Sequence, residues 1–124
     1  MPGKEKAISG AVQPRIRILH EGEIALGPGK AELLAAVSRS GSMAQAAREL
    51  GMSYMRAWSL VRTMNAAFEE PLVVSHRGGN RRGGASLTKN GERVLRLYRR
   101  MQERSVRAMA PEVAALRKLL RRYR

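Results

Sequence analysis

Two short helical segments hinged at Gly51, a glycine-rich basic stretch between β-prone runs, and a longer amphipathic segment after Thr88 stand in this order along the chain. Together they predict a mainly α fold with a small β-hairpin wing, that is, a winged helix-turn-helix with a three-helix core and a further C-terminal helix. At 124 residues with 44% hydrophobic content the chain suits one domain with a modest core.

Residues 1–14 read as a flexible N-terminal arm, polar and bearing glycine and proline. Arg15-Ile16-Arg17-Ile18-Leu19 alternates charge with apolar residues as a half-buried strand does. Glu21-Gly22 supplies a turn, and Glu23-Ile24-Ala25-Leu26 is a short returning strand. Gly27-Pro28-Gly29 then breaks the chain. A helix from Lys30 to about Arg39 carries Leu33, Leu34 and Val37 at helical spacing and ends at Gly41. Ser42-Met43-Ala44-Gln45 reads as a capping box that opens a short helix to Leu50. Ser53 is the next N-cap, for a helix from Tyr54 to about Phe68 that Pro71 closes. Leu72–His76 and Ala85–Leu87 are the two sides of a hairpin whose tip is glycine and arginine. Thr88 caps the helix that follows, reaching roughly Val106, and residues 107–124 form a basic helix or tail with Pro111 in its first turn. Residues 15–106 are thus expected to make one winged helix-turn-helix domain.

Charge sets the class of partner. Lys plus Arg is 24 against 10 acidic residues, a net +14. From Arg77 onward fifteen basic residues face three acidic ones, whereas before it nine face seven. A field so concentrated suits a polyanion.

Between Gln45 and Val61 the spacing is that of a helix-turn-helix. Ala47 is small where the second helix must cross, Gly51 tolerates the positive φ of the turn, and Ala57, Leu60 and Val61 are apolar toward the first helix. At about 100° per residue, Ala57, Val61, Met64 and Phe68 share one sector, with Met55, Ser59, Arg62 and Ala66 opposite and Arg56 and Thr63 on a flank. A recognition helix offers its N-terminal residues to the major groove, so Met55, Arg56, Ser59 and Arg62 are the candidates to enter it. The plain alternative for Arg56 and Arg62 is a solvated surface or a backbone contact. Tyr54 and Trp58 lie at the border of the two faces, where packing is the commoner role and stacking on DNA the other. Ser42 and Ser53 are caps first, and their helix N-termini offer N–H groups to phosphate. Arg77, Asn80, Arg81 and Arg82 in the wing have little to pack against, and Lys89 sits in a first helical turn where a cation is disfavoured unless phosphate is near. A mobile loop is the other reading of the wing.

The runs Leu26-Gly27-Pro28-Gly29-Lys30, Gly41-Ser42-Met43, Gly51-Met52-Ser53-Tyr54, Ala57-Trp58, Met64-Asn65, the Gly-Gly wing and Leu87-Thr88-Lys89-Asn90-Gly91 resemble the N-terminal domain of ModE-type molybdate-responsive transcriptional regulators. The helix-turn-helix alone also fits the more distant LysR-type regulators. The resemblance spans about Arg15 to Met101. It implies a homodimer paired through the helix after the wing, with Val94, Leu95, Tyr98 and Met101 as the pairing face, on a roughly palindromic double-stranded DNA site. The sequence departs from the pattern in two ways. The C-terminal molybdate-binding modules of the family are not expected here, so neither molybdate nor another cofactor or small-molecule ligand is. Arg81 and Arg82 stand where the family tends toward glycine, which strengthens phosphate contact. Residues after Arg104 have no counterpart. Their Val113, Leu116, Leu120 and Tyr123 stripe, flanked by Arg117, Lys118, Arg121 and Arg122, suits a dimer-stabilising helix, an arm along DNA, or a tail that orders on binding.

No catalytic residue or metal ligand is expected, since aspartate and cysteine are absent and His20 and His76 have no partners at ligand spacing. No stretch reaches the roughly 18 apolar residues of a membrane span, and Met1–Gln13 lacks the apolar run of a secretory signal. A cytoplasmic, nucleoid-associated transcriptional regulator is the expectation. The alternatives are a basic amphipathic membrane-surface module and an RNA-binding or protein-interaction module, the RNA reading disfavoured by the scarcity of aromatics.

Overall fold

A hairpin precedes a run of three helices and a second hairpin follows them, in a computed structural model that describes residues 12–76 and 84–122. Strand β1 (Ile18–His20) pairs antiparallel with β2 (Glu23–Leu26) across Glu21 and Gly22, whose φ values of 52° and 81° make the tight turn. The first strand is shorter than the expected Arg15–Leu19 and lies exposed rather than half-buried. The register shifts between Ile18 and Leu19, and the ladder stops at Ile18↔Leu26 because β2 ends there, with Gly27 already the N-cap of the next helix.

Helix α1 (Pro28–Ser40) begins on the proline instead of after it. A first-turn N–H has no intrahelical partner to lose, so Pro28 is an opener here and Gly27 the N-cap. Helices α2 (Met43–Glu49) and α3 (Tyr54–Ala67) follow as the spacing predicts, each opened by its serine. Leu33, Leu34 and Val37 of α1, Met43 and Ala46 of α2, and Ala57, Val61 and Met64 of α3 are fully buried together with Leu72. That core contains no buried polar or charged residue among the described ones. Phe68, expected on the same face, is the C-cap of α3 and only half-buried.

Strands β3 (Val73–His76) and β4 (Gly84–Leu87) pair in register from Val73↔Leu87 to His76↔Gly84. Helix α4 (Lys89–Ala108) and helix α5 (Ala110–Leu119) complete the chain. By compactness the chain divides inside α4: Ile16–Leu97 form one unit, and the described residues of 12–15 and 98–122 form the other. In the latter, α5 has Pro111 in its first turn as expected and buries none of its residues. Its apolar stripe is shorter than the sequence suggests, because Leu120 leaves the helix in an extended conformation; Tyr123 lies outside the described residues.

Candidate nucleic-acid interface

The helix-turn-helix is built by two serine caps and one glycine. Ser53 Oγ accepts from Arg56 N at 3.0 Å and starts α3, while Ser42 Oγ accepts from Gln45 N at 3.1 Å and starts α2. The expected capping box closes only halfway. The N–H of Ser42 donates to Ser40 Oγ at 3.2 Å, not to Gln45, because Ser40 sits two residues back in the α1 end and reaches that amide first. Between α2 and α3, Gly51 takes φ 69°, and Met52 N donates to Ala47 O at 3.0 Å to finish the α2 terminus. Nothing lies within 4 Å of a Cβ built on Gly51, so backbone handedness rather than space selects glycine there. Arg39 and Glu49 clamp α1 to α2 by a 2.7 Å ion pair.

With α3 held this way its two faces are sharply different. Ala57, Val61 and Met64 point into the core, and Met55, Arg56, Ser59, Arg62 and Thr63 are all exposed. Met55 is 78% exposed and Tyr54 48%. Tyr54 is therefore not the packed residue that the commoner reading expected. Its ring meets Trp58 edge-on, with centroids 6.5 Å apart at 74°, and Trp58 supplies the half-buried wall. Thr63 spends its hydroxyl proton on Leu60 O at 2.8 Å, which leaves only its oxygen free to accept from outside. The open face thus offers two guanidinium forks, a hydroxyl and a thioether on the first turns of one rod, a combination suited to base edges and phosphates.

The base of the second hairpin is tied to this unit from three sides. Ser42 forms an isolated β-bridge with Gly84, and Ala85 N donates to Gly41 O at 3.1 Å. Asn65 of α3 reaches β3 through three hydrogen bonds: its Nδ2 donates to Val73 O at 3.1 Å, and its Oδ1 accepts from Leu72 N at 2.8 Å and Val73 N at 3.3 Å. Thr88 closes the third side, its Oγ1 donating to Pro71 O at 2.7 Å and its N to Leu72 O at 2.9 Å.

Residues 29–92 match the profile of the bacterial regulatory helix-turn-helix proteins of the lysR family, slightly more than half the chain. The chain belongs to that family. Within the matched residues α2, the Gly51 turn and α3 form the helix-turn-helix that the family is named for. It is also similar to the molybdenum-pterin-binding protein MopB of Rhodobacter capsulatus, 44% identical over 73 residues, which cover 59% of this chain and 27% of that protein. The molybdenum transport protein ModE of Azotobacter vinelandii is 41% identical over 78 residues, 63% of this chain and 29% of its own length. The DNA-binding transcriptional dual regulator ModE of Escherichia coli (strain K12) is 41% identical over 71 residues, 57% of this chain and 27% of its own. The matched part of this lysR-family chain therefore spans little more than a quarter of those relatives. The ModE-like and LysR-like resemblance expected from the sequence is what these comparisons return.

Of the wing residues singled out from sequence, Arg77, Asn80, Arg81 and Arg82 lie outside the described residues. Lys89 is exposed at the first position of α4, beside the Thr88 cap. The expected pairing face is divided: Leu95 and Tyr98 are buried in the single chain at 5% and 1% exposure, whereas Val94 and Met101 are half-buried and the neighbouring Leu97 is 42% exposed. Sequence reading missed Asn65 as a tether. Its signal was present, an amide on the border of the core face of α3 just before a β-prone run, but an amide's partners are not legible from spacing. Among the described residues no group of His, Cys, Asp or Glu could hold a metal ion, and no helix is long and apolar enough to cross a membrane.

Proposed function

We propose that this chain binds double-stranded DNA in a sequence-dependent way, with α3 laid in the major groove and the wing on the flanking backbone or minor groove, and so regulates transcription. The observation that carries the reading is the open Met55–Ser59–Arg62 face of α3, exposed along its length while the opposite face is sealed in the core. On this reading Arg56 and Arg62 provide fork-like donors to guanine or phosphate, Ser59 a hydroxyl, and Met55 and Tyr54 an apolar contact for a thymine methyl or a base face. Ser42, Ser53 and Lys89 sit where backbone phosphates reach helix N-termini. Arg77, Asn80, Arg81 and Arg82 supply the wing's charge, and Thr63 stands at the edge of the reading face.

The chain pairs as a homodimer in this proposal, through the apolar edge of α4 that remains open, Val94, Leu97 and Met101, with Leu95 and Tyr98 shaping it from beneath. The molybdenum in the relatives' names belongs to proteins of which the matched stretch is under a third. The reading accounts for DNA contact in the cytoplasm and assigns the chain neither molybdate nor catalysis.

Selection of duplexes from a random pool by the full chain tests it. A defined sequence should be enriched, and Arg56→Ala or Arg62→Ala should weaken that duplex by about 1–3 kcal/mol while sparing scrambled DNA. No enrichment, or equal competition by double-stranded RNA, would refute it.

A further inference from the structure

Helix α4 has a second ordered face, of which the reading above uses only Lys89. At about 100° per residue, Lys89, Arg93, Arg96, Arg100, Arg104 and Arg107 fall within a sector of about 80°. All six are exposed, and buried Leu95 and Tyr98 lie on the other side of the helix. The row runs about 27 Å, with a cation every 5 Å or so. Seven basic residues face two acidic ones over the whole helix, Glu92 and Glu103, both to one side of the row. Among the described residues none of the six cations makes an ion pair or a side-chain hydrogen bond.

Such a row is unfavourable by itself. Each successive pair stands three or four residues apart, where like charges repel, and Glu92 and Glu103 make no ion pair with it. A solvated surface meant only for solubility would mix its signs. Five of the six cations are arginine, whose rigid fork matches oxyanions in a way that an ammonium does not. Duplex DNA carries a charge about every 1.7 Å of its axis. A cationic row that crosses the strands' backbones therefore meets phosphates whatever the base sequence.

We propose that this row is a second DNA contact of the chain, a sequence-independent one to the phosphate backbone, separate from the base reading by α3. It rests on the chain being a DNA binder and adds a surface to it.

The test is the triple variant R96Q/R100Q/R104Q in the full chain, glutamine keeping a helix propensity close to that of arginine. Two duplexes of equal length serve as probes: the sequence that the parent chain selects from a random pool, with about 20 bp of arbitrary flank at each end, and a scrambled version. The slope of log Kobs against log salt should fall by about 2.7 on both, roughly 0.9 for each phosphate contact removed, while the affinity ratio between them stays unchanged. The variant should also melt higher than the parent at low salt without DNA, because repulsion has been removed. An unchanged slope on both duplexes overturns the proposal, and so does a slope that falls on the selected duplex alone. Loss of retention on immobilised polyglutamate with an unchanged DNA slope would place an acidic protein on the row and overturns it too. If the parent shows no preference between the duplexes yet the variant's slope falls, the row stands and the reading by α3 fails.

Discussion

Replacing Gly91 by alanine sets two effects of opposite sign against each other. Glycine inside a helix costs about 1 kcal/mol relative to alanine, so on propensity alone the change stabilises α4. The structure reverses that sign. A Cβ on Gly91 would lie 2.1 Å from the carbonyl oxygen of Leu72 and 3.2 Å from Leu87 Cβ. That carbonyl cannot swing away, since it accepts from Thr88 N at 2.9 Å and the N–H of the same residue is held by Asn65 Oδ1 at 2.8 Å. Relief requires the first turn of α4 to retreat until the 2.1 Å approach opens to an ordinary contact of 3.4 Å or more, and to give up hydrogen bonds worth about 1 kcal/mol each as well as packing worth about 1–3 kcal/mol. Set against the propensity gain, the net is about 2 kcal/mol of destabilisation, or roughly 8 °C in Tm for a chain of this size. Gly29→Ala is the matched control: it too lies in a first helical turn, but nothing stands within 4 Å of its Cβ, so the chain should hold or gain up to about 1 kcal/mol. Urea and thermal unfolding of the two variants read the difference. An unchanged or higher Tm for Gly91→Ala would refute the close approach of α4 to Leu72.

Asn65→Ala strips three hydrogen bonds from the buried start of β3 and should cost about 2–3 kcal/mol, read as a lower urea midpoint with unchanged m; a loss under about 0.5 kcal/mol would show the tether to be dispensable. Glu21→Asn places a residue tolerant of positive φ ahead of Gly22 in the first hairpin's turn and should raise stability by about 0.5–1 kcal/mol in the same assay. Arg81→Ala with Arg82→Ala should weaken all duplexes similarly and lower the salt slope by about two, and a changed sequence preference with an unchanged slope would remove the wing from the backbone.

The local grammar of the chain was readable where one residue type satisfies one backbone need. Ser42, Gly41, Gly51, Ser53 and Thr88 mark helix ends in the sequence and occupy those ends in the structure. The core face of α3 followed from period alone, because a helix packed on one side must place Ala57, Val61 and Met64 together. What period cannot show is which of several nearby groups reaches a free amide first, and so Ser40 rather than Gln45 serves Ser42. Nor does it show depth: Leu95 and Tyr98 share a stripe with Val94 and Met101, yet the first two are buried in the single chain and the latter pair only half so. Tyr54 stayed ambiguous for a related reason. A border position on the wheel can face in or out, and only the placement of Trp58 beside it decides.

The peptide of Leu72 explains why an ordinary-looking loop after α3 matters to the proposed activity. Its N–H is fixed by Asn65 of α3, its carbonyl by Thr88 at the head of α4, and the next residue begins β3 of the wing. Helix α3, the base of the second hairpin and the head of α4 are thus joined at one buried residue. Two weak contacts on one duplex reinforce each other more strongly when their separation is set before binding, since a loose joint spends part of the second contact's energy on ordering. In Asn65→Ala the groups of α3 and the wing are all still present. If the joint acts as argued, that variant should lose affinity on the selected duplex beyond its loss of stability, and the wing's share of the salt slope should fall although no wing charge has been touched. Full salt dependence in a folded Asn65→Ala chain would mean that helix and wing find the duplex independently, and the joint would then be a matter of stability alone.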